Sequence, residues 1–366
     1  MNLKQELNLQ LFADAGTLVN ASGNYVNAYS GETSAFPDGG GMTASMKTFY
    51  DTELLENARP NLIHAQFARK QPLPKGRGKK VEWRKWNTLA DASALTEGVI
   101  PTGQKFGQSS MTASILQYGT YLTVSDQLEL HAIDNTILGA TEELGASAGT
   151  TQDKLVRDTL AAGQTVQYCD KVSTAGAHTA VDTRAGMDTT SKLTPTEVNK
   201  AVTTLKKLKA PTINGKYVAI IHPSVAYDLR ENKEWIEAHK YAAVTPLFTG
   251  EIGELHGVRF IETTEAKIWN NNTCPVKTAA GTGGTPAATY YSVYSTLFLG
   301  KDAFGMIDPE GGGLEMIVKS KEQAGGPLNQ FSTLGYKFST ATKILYQDRM
   351  VRVESLSEYS GTDEAN

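Results

Sequence analysis

The longest regular pattern of apolar positions starts at Ser125. From there to about Ala162 the chain has no proline, and Leu130, Ile133, Ile137, Thr141, Leu144, Ala148, Thr151, Leu155 and Thr159 recur every three or four residues. That spacing lines one face of a helix. Ser125 can accept from the first free N–H groups, and Gly163 suits the stop. At 1.5 Å per residue such a helix would reach roughly 50 Å. Gly139, Gly145 and Gly149 weaken it and predict a kink. A plain core helix fits the pattern, but the length favours a structural spine.

Upstream, the period changes from helical to alternating. Val81 and Trp83 alternate with Glu82 and Arg84, which is strand spacing. A second extended stretch runs from Gln108 to Val124, and Gly98, Pro101, Gly103 and Gly107 lie between the two. Residues 67–124 therefore read as a long two-stranded hairpin. Its first limb is basic: Arg69, Lys70, Lys75, Arg77, Lys79, Lys80, Arg84 and Lys85 are opposed only by Glu82. An isolated two-stranded ribbon is marginal in water, so a long one implies a surface that supports it. A solvated hairpin with ordinary surface charge also fits. So does a nucleic-acid platform, except that alternation sends Trp83 and Trp86 to opposite faces.

After the long helix, residues 163–194 are polar and read as loops and short strands. A compact α/β segment follows. Thr194-Pro195-Thr196-Glu197 opens a helix through Val198, Val202, Leu205 and Leu208, with proline just inside the start. Tyr217 to Ile221 is a buried strand. Pro223 opens another helix, a further one spans about Trp235 to Ala242, and Gly257 to Ile261 is a strand. Asn270 to Ala288 is a low-complexity loop containing Gly281-Thr282-Gly283-Gly284. Strands return at 290–299, 314–318, about 335–345 and 350–355. The fold class is α+β.

Residues 1–45 differ from the rest. After Leu7, Leu9, Leu11 and Phe12 comes a stretch rich in Asn, Ser, Gly and Tyr that cannot build a core by itself. A disordered leader and an arm lying on a neighbouring copy both fit. A short helix over Met46 to Glu56 precedes a break at Pro60.

Composition narrows the function classes. The 366 residues are 40% hydrophobic and 20% charged, which is globular composition. The net charge of -4 speaks against a free-standing DNA reader but not against a container for DNA. Two distant cysteines, Cys169 and Cys274, make no disulfide framework and fit a reducing compartment. No run is apolar and long enough for a transmembrane helix, and the first residues make no convincing signal peptide. The chain is expected to stay in the cytoplasm where it is made.

Catalytic signals are sparse. Gly145-Ala146-Ser147-Ala148-Gly149 fits the nucleophile-elbow pattern, but Glu142-Glu143-Leu144 stands where an apolar strand is needed. A serine hydrolase using Ser147 is the reading from a different class. The six histidines have no i, i+4 pair, and there is no H-E-x-x-H, no phosphate loop and no dinucleotide fingerprint. No enzyme, metal or cofactor is expected.

The order of parts (arm, basic hairpin, long helix, inserted α/β segment, late strands) resembles the Hong Kong 97-type capsid fold of tailed phages. Local sequences sharpen the likeness. Leu7-Asn8-Leu9-Gln10-Leu11-Phe12-Ala13 looks like the opening of many phage capsid proteins. Val124-Ser125-Asp126-Gln127-Leu128-Glu129 looks like the entry to the spine helix in the phage N4-type capsid family. His222-Pro223-Ser224-Val225-Ala226-Tyr227-Asp228-Leu229 and Gly250-Glu251-Ile252-Gly253 are similar to that family's axial-domain segments. Pro327-Leu328-Asn329-Gln330, Gly335-Tyr336-Lys337-Phe338 and Met350-Val351-Arg352-Val353 are similar to its closing strands.

The resemblance implies an N-terminal arm (1–45), a short helical lead (46–66), an extended loop (67–124), a peripheral domain with the spine helix (125–194), an axial domain (195–325) and a return to the peripheral domain (326–366). It implies a major capsid protein that forms pentamers and hexamers in an icosahedral shell around the double-stranded DNA of a tailed phage. The shell would be assembled in the host bacterial cytoplasm and reside in the virion. Expected partners are other copies, a separate scaffolding protein, portal and decoration proteins, and DNA held without sequence-specific contacts, with no membrane. A bacterial nanocompartment shell on the same fold is the alternative. Contact between copies is expected through Arg69, Lys70, Lys75, Arg77, Lys79, Lys80, Trp83, Arg84 and Lys85 of the loop, and through Leu9, Leu11 and Phe12 of the arm.

Overall fold

The computed structural model describes residues 24–26, 33–35, 63–76, 78–95, 97–98, 100, 102–131, 136–173, 176–240, 251–278, 289–320, 323 and 328–366. The expected helix at Met46 to Glu56, the arm residues Leu9, Leu11 and Phe12, and Arg77 lie outside them. So do the end of the Trp235 to Ala242 helix and the Gly281 to Gly284 run.

In chain order the described elements begin with two short paired strands, β1 (Asn24–Val26) and β2 (Thr33–Ala35). Then come β3 (Arg69–Leu73), β4 (Lys80–Trp86), β5 (Gln108–Ser114), β6 (Leu116–Ser125), α1 (Asp126–His131) and α2 (Thr136–Ala161). The middle of the chain holds β7 (Val166–Tyr168), β8 (Lys171–Val172), β9 (His178–Thr179), α3 (Pro195–Lys207), β10 (Tyr217–Ile221), α4 (Pro223–Arg230) and α5 (Lys233–Lys240). Next are β11 (Glu251–Leu255), β12 (Val258–Glu262), β13 (Ile268–Trp269), β14 (Val276–Thr278) and β15 (Thr289–Tyr290). The last strands are β16 (Val293–Leu299), β17 (Phe304–Pro309), β18 (Glu315–Lys319), β19 (Phe331–Ile344) and β20 (Met350–Ser355).

The chain divides into two compact units. The smaller comprises residues 1–57, 123–141 and 319–334. In it Asp126 N–H donates to the Gln330 carbonyl at 2.9 Å, and the Ser332 hydroxyl donates to the Val124 carbonyl at 3.4 Å. Ser125 caps α1 as expected, its Oγ accepting from Leu128 N–H at 3.3 Å.

The larger unit comprises residues 58–122, 142–318 and 335–366. Its centre is a seven-stranded sheet in the order β11-β12-β10-β16-β20-β7, with β13 on β16. Strand β10 explains why both faces are covered. Tyr217, Ala219 and Ile221 join one apolar cluster with Val198, Leu205 and Leu229 from α3 and α4. Val218 and Ile220 join the other, with Val156 and Leu160 of α2. A strand buried on both faces loses its alternation, which is why Tyr217 to Ile221 reads as a continuous apolar run. The start of α3 is built as its sequence implies: Thr194 Oγ1 accepts from Glu197 N–H, with Pro195 in the first turn.

Helix α2 departs from the expected stripe. Leu144 and Ala148 are buried as expected, but Leu155 and Thr159 are only half-buried. The buried side of the last turns is Asp153, Val156, Arg157 and Leu160. Two of these are charged, so a hydrophobicity pattern passes over them. Each has a partner: Asp153 takes His64 Nδ1 at 2.7 Å and Ala65 N–H at 3.2 Å, and Arg157 donates to the Glu265 carbonyl at 3.2 Å. A buried charge held this way escapes most of its desolvation cost.

The second sheet has five strands in the order β18-β19-β17-β3, with β6 also on β19. The crossing of β6 and β19 is tight enough to require glycine. A Cβ on Gly119 would stand 2.4 Å from the Tyr336 carbonyl oxygen, and one on Gly335 would stand 2.8 Å from that of Thr120.

Candidate assembly interface

The hairpin has a rooted half and an open half. Strands β4 and β5 pair antiparallel from Lys80 against Ser114 to Trp86 against Gln108. Alternation then sorts the side chains. Val81 and Trp83 turn inward and pack with Leu73, Ala113, Ile115, Ile307 and Ala341. Lys85 shares that side, and its Nζ lies 5.2 Å from the centre of the Tyr346 ring. Lys80, Glu82, Arg84 and Trp86 point into solvent. Arg84 and Glu82 pair at 3.2 Å, but both are exposed and the contact stabilises little.

Beyond Trp86 the ladder gives way to a tip without strands. Asn87 N–H donates to the Gly107 carbonyl at 3.0 Å, and Gln104 clamps Ala90 through both its N–H and its carbonyl, at 3.0 Å each. Trp86 and Phe106 stack with ring centres 4.3 Å apart. Even stacked, each ring is 61% exposed, while Leu95 is 75% and Ile100 94% exposed. Burying one such side chain is worth about 1.5–3 kcal/mol. The isolated chain forgoes that at every one of these positions. So many large apolar groups on one projection make it the candidate contact surface.

The expected contact residues do not all fall on this projection. Lys80, Trp83, Arg84 and Lys85 are on β4, with Trp83 in its root. Arg69 and Lys70 instead lie on β3, which pairs parallel with β17 from Arg69 against Gly305 to Leu73 against Pro309. Lys75 and Lys79 sit in the connection from β3 to β4; Lys75 N–H donates to Glu310 at 3.4 Å. A pairing across so long a stretch of sequence has no local signal. Leu89, Leu95, Ile100 and Phe106 escaped the sequence reading for a different reason: they follow no period. Their one signal is their presence in a segment rich in Gly and Pro.

The other chemistry resolves into structure. Residues 145–149 lie wholly within α2, and the Ser147 hydroxyl is 3.3 Å from that of Tyr336. An elbow needs a strand, a sharp turn and then a helix, so this pattern cannot present its serine as one. Among the described residues, Asp170, His178 and Glu197 could bring ligand atoms within 4.8 Å of one another. The Lys200 ammonium already pairs with Asp170, and with Glu197 at 2.8 Å. Cys169 is buried, which pushes its thiol pKa well up and keeps it uncharged. Glu354, fully buried, accepts from Arg184 at 2.6 and 2.8 Å and pairs with Arg352 at 2.9 Å. Burial pulls the Arg184 pKa down, but the bond to Glu354 outweighs it and leaves the pKa raised.

The fold is that of phage capsids. At 15% identity and a TM-score of 0.57, the capsid of cyanophage P-SCSP1u aligns over 90% of this chain and 97% of its own. The capsid of Ralstonia phage GP4 aligns at 12% identity and a TM-score of 0.59, covering 89% of this chain and 98% of that one. The head of Helicobacter pylori bacteriophage KHP40 reaches a TM-score of 0.62 at 10% identity, over 86% and 96% of the two chains. This α+β arrangement is the Hong Kong 97-type capsid fold. The family model for phage capsid protein matches residues 125–324, more than half of the chain, and the chain belongs to that family. No curated protein matches it.

Proposed function

We propose that the chain is the major capsid protein of a tailed phage, closing as pentamers and hexamers into an icosahedral shell around double-stranded DNA. The observation that carries this reading is the hairpin tip, where Trp86, Leu95, Ile100 and Phe106 stand in solvent on a chain of capsid fold. No described residue of the chain covers them, and in a shell the next copy would. The family match favours a phage head over a nanocompartment.

In this reading residues 67–124 are the extended loop, 125–194 and 326–366 the peripheral domain, and 195–325 the axial domain. The apolar tip supplies most of the contact energy. Arg69, Lys70, Lys75, Arg77, Lys79, Lys80, Arg84 and Lys85 steer and set register against acidic or polar surface, while Trp83 roots the hairpin. Leu9, Leu11 and Phe12 of the arm add a second contact. Each exposed ion pair is worth about 0–1 kcal/mol, and repetition over a closed shell makes such weak terms sufficient. A scaffolding protein, portal and decoration proteins are the further partners. The DNA is enclosed without sequence-specific contacts, and assembly takes place in the host bacterial cytoplasm.

Expression of the full chain, with electron microscopy of the large fraction, tests the reading. Closed shells, tubes or capsomer rings are expected. Lys79→Glu with Lys80→Glu should leave a folded subunit that assembles poorly; normal shells from that variant would sink the steering role.

A further inference from the structure

Three connections meet at one end of the seven-stranded sheet. Leu299 ends β16 opposite Val218 of β10 and Met350 of β20, so the connection leaving β16 lies beside those entering the other two strands. Hydrogen bonds tie them together. Lys301 N–H donates to the Pro211 carbonyl at 2.9 Å, and Gly300 N–H donates to the Arg349 carbonyl at 2.7 Å. The Arg349 guanidinium donates to the Lys301 carbonyl at 3.1 Å. The approach is close enough to need glycine, since a Cβ on Gly300 would stand 2.9 Å from the Pro211 carbonyl oxygen.

The charge on these connections is one-sided. Residues 206–211, 300–303 and 346–349 carry Lys206, Lys207, Lys209, Lys301 and Arg349, with Asp302 and Asp348 as their only acids. The whole chain has the opposite balance, 39 acidic against 35 basic residues. All four lysines are exposed, and among the described residues none of the five cations forms an ion pair. The negative end of α3 gives Lys206 and Lys207 a reason of their own. Lys209 and Lys301 lie beyond that helix, and the hydrogen bonds between the connections hold them on the same end of the sheet. The Arg349 guanidinium sits 3.8 Å from the centre of the half-buried Tyr346 ring. That ring is therefore engaged by a cation of the chain and makes no open platform for a base.

Unpaired cations with no open ring beside them read charge and not sequence. A duplex presents one phosphate charge per about 1.7 Å of its axis, which suits several cations spread over three connections. We infer that this face binds the phosphate backbone of double-stranded nucleic acid without regard to sequence. Identifying that nucleic acid with the enclosed genome rests on the shell reading; the binding itself does not.

Fluorescence anisotropy of the unassembled full chain with labelled DNA duplexes of two unrelated sequences tests it. One variant combines Lys206→Glu, Lys209→Glu and Lys301→Glu. A control combines Lys233→Glu, Lys277→Glu and Lys319→Glu, three exposed lysines elsewhere, and changes the net charge equally. Wild type is expected to bind both duplexes alike and more weakly as salt rises. The first variant should lose at least about tenfold in affinity and flatten the salt slope by about three, while the control stays within about twofold of wild type. The same change in both variants, no change in either, or no binding by the wild type at low salt overturns the inference and leaves the shell reading standing. So does a first variant that keeps its DNA affinity but no longer assembles, which would assign the face to acidic surface on a neighbouring copy. A wild type that binds DNA through this face but never enters large particles leaves the inference standing and overturns the shell reading.

Discussion

The seven-stranded sheet and the hairpin meet the same requirement in opposite ways. Both must remove large apolar side chains from water. The sheet does so within one chain: Val218 and Ile220 face one cluster, and Tyr217, Ala219 and Ile221 face the other. The hairpin does so only at its root, where Val81 and Trp83 pack on the second sheet, while Trp86, Leu95, Ile100 and Phe106 remain exposed. One region is complete as a subunit, and in the proposed function the other is complete only in an assembly. Stability and assembly should therefore separate cleanly by mutation.

The largest effect on the subunit is expected in the sheet. Phe298 is fully buried and meets Phe260 edge-on, with ring centres 6.3 Å apart. Phe298→Ala should cost about 3–5 kcal/mol of unfolding free energy, read from urea denaturation of the unassembled chain. A loss below about 1 kcal/mol would mean that the site collapses freely, and the contrast with the hairpin would weaken.

Gly119→Val comes next. Its added carbon has no room against the Tyr336 carbonyl, so β6 and β19 must part. A cost of about 1–3 kcal/mol is expected in the same assay. An unchanged midpoint would show that the crossing is looser than the structure has it.

A smaller effect belongs to pH. His222 accepts from Ser224 N–H through Nδ1 at 3.2 Å, and its ring lies tilted against that of Tyr294 with centres 4.9 Å apart. Burial pushes its pKa below the usual histidine range, against the opposing charges of Asp363 and Glu265. A pKa lower in the folded chain means that stability is whole above the unfolded value of about 6.5 and falls as pH drops through the folded one. Asp363 acts in the same direction further into acid. Burial works to raise its pKa, but bonds from Ser360 and Tyr294 outweigh that and lower it. Urea midpoints should fall between about pH 7 and pH 5. His222→Asn, which keeps a capping acceptor, should flatten that fall, and parallel slopes for the two proteins would exclude His222 as the cause.

Much of the sheet was legible from the sequence because local chemistry and tertiary role agree there. The run Tyr217 to Ile221, the Thr194-Pro195 helix start and the strand at 350–355 stand where their residues place them. Strand β17 is not legible, because Gly305 and the Asp308-Pro309 end give Phe304–Pro309 the look of a loop. Its strand character comes from pairing with β19 and β3. The basic run also misled in part. Charge drew Arg69 and Lys70 onto the hairpin, whereas their backbone belongs to an edge strand beside β17. On the hairpin, the charged residues stand out in the sequence and the apolar tip does not. Charge clusters show in sequence, but an exposed Ile100 is told from a buried isoleucine only by structure.

The most direct test of the account is an assembly measurement on a tip variant. Leu95→Ser with Ile100→Ser should leave subunit stability within about 0.5 kcal/mol of wild type, since the two side chains are 75% and 94% exposed in the chain. Sedimentation velocity on the two proteins under identical assembly conditions should then show large particles for wild type and subunits or small oligomers for the variant. Particles of the same size and yield from both would contradict the claim that the hairpin tip is finished by a neighbouring copy.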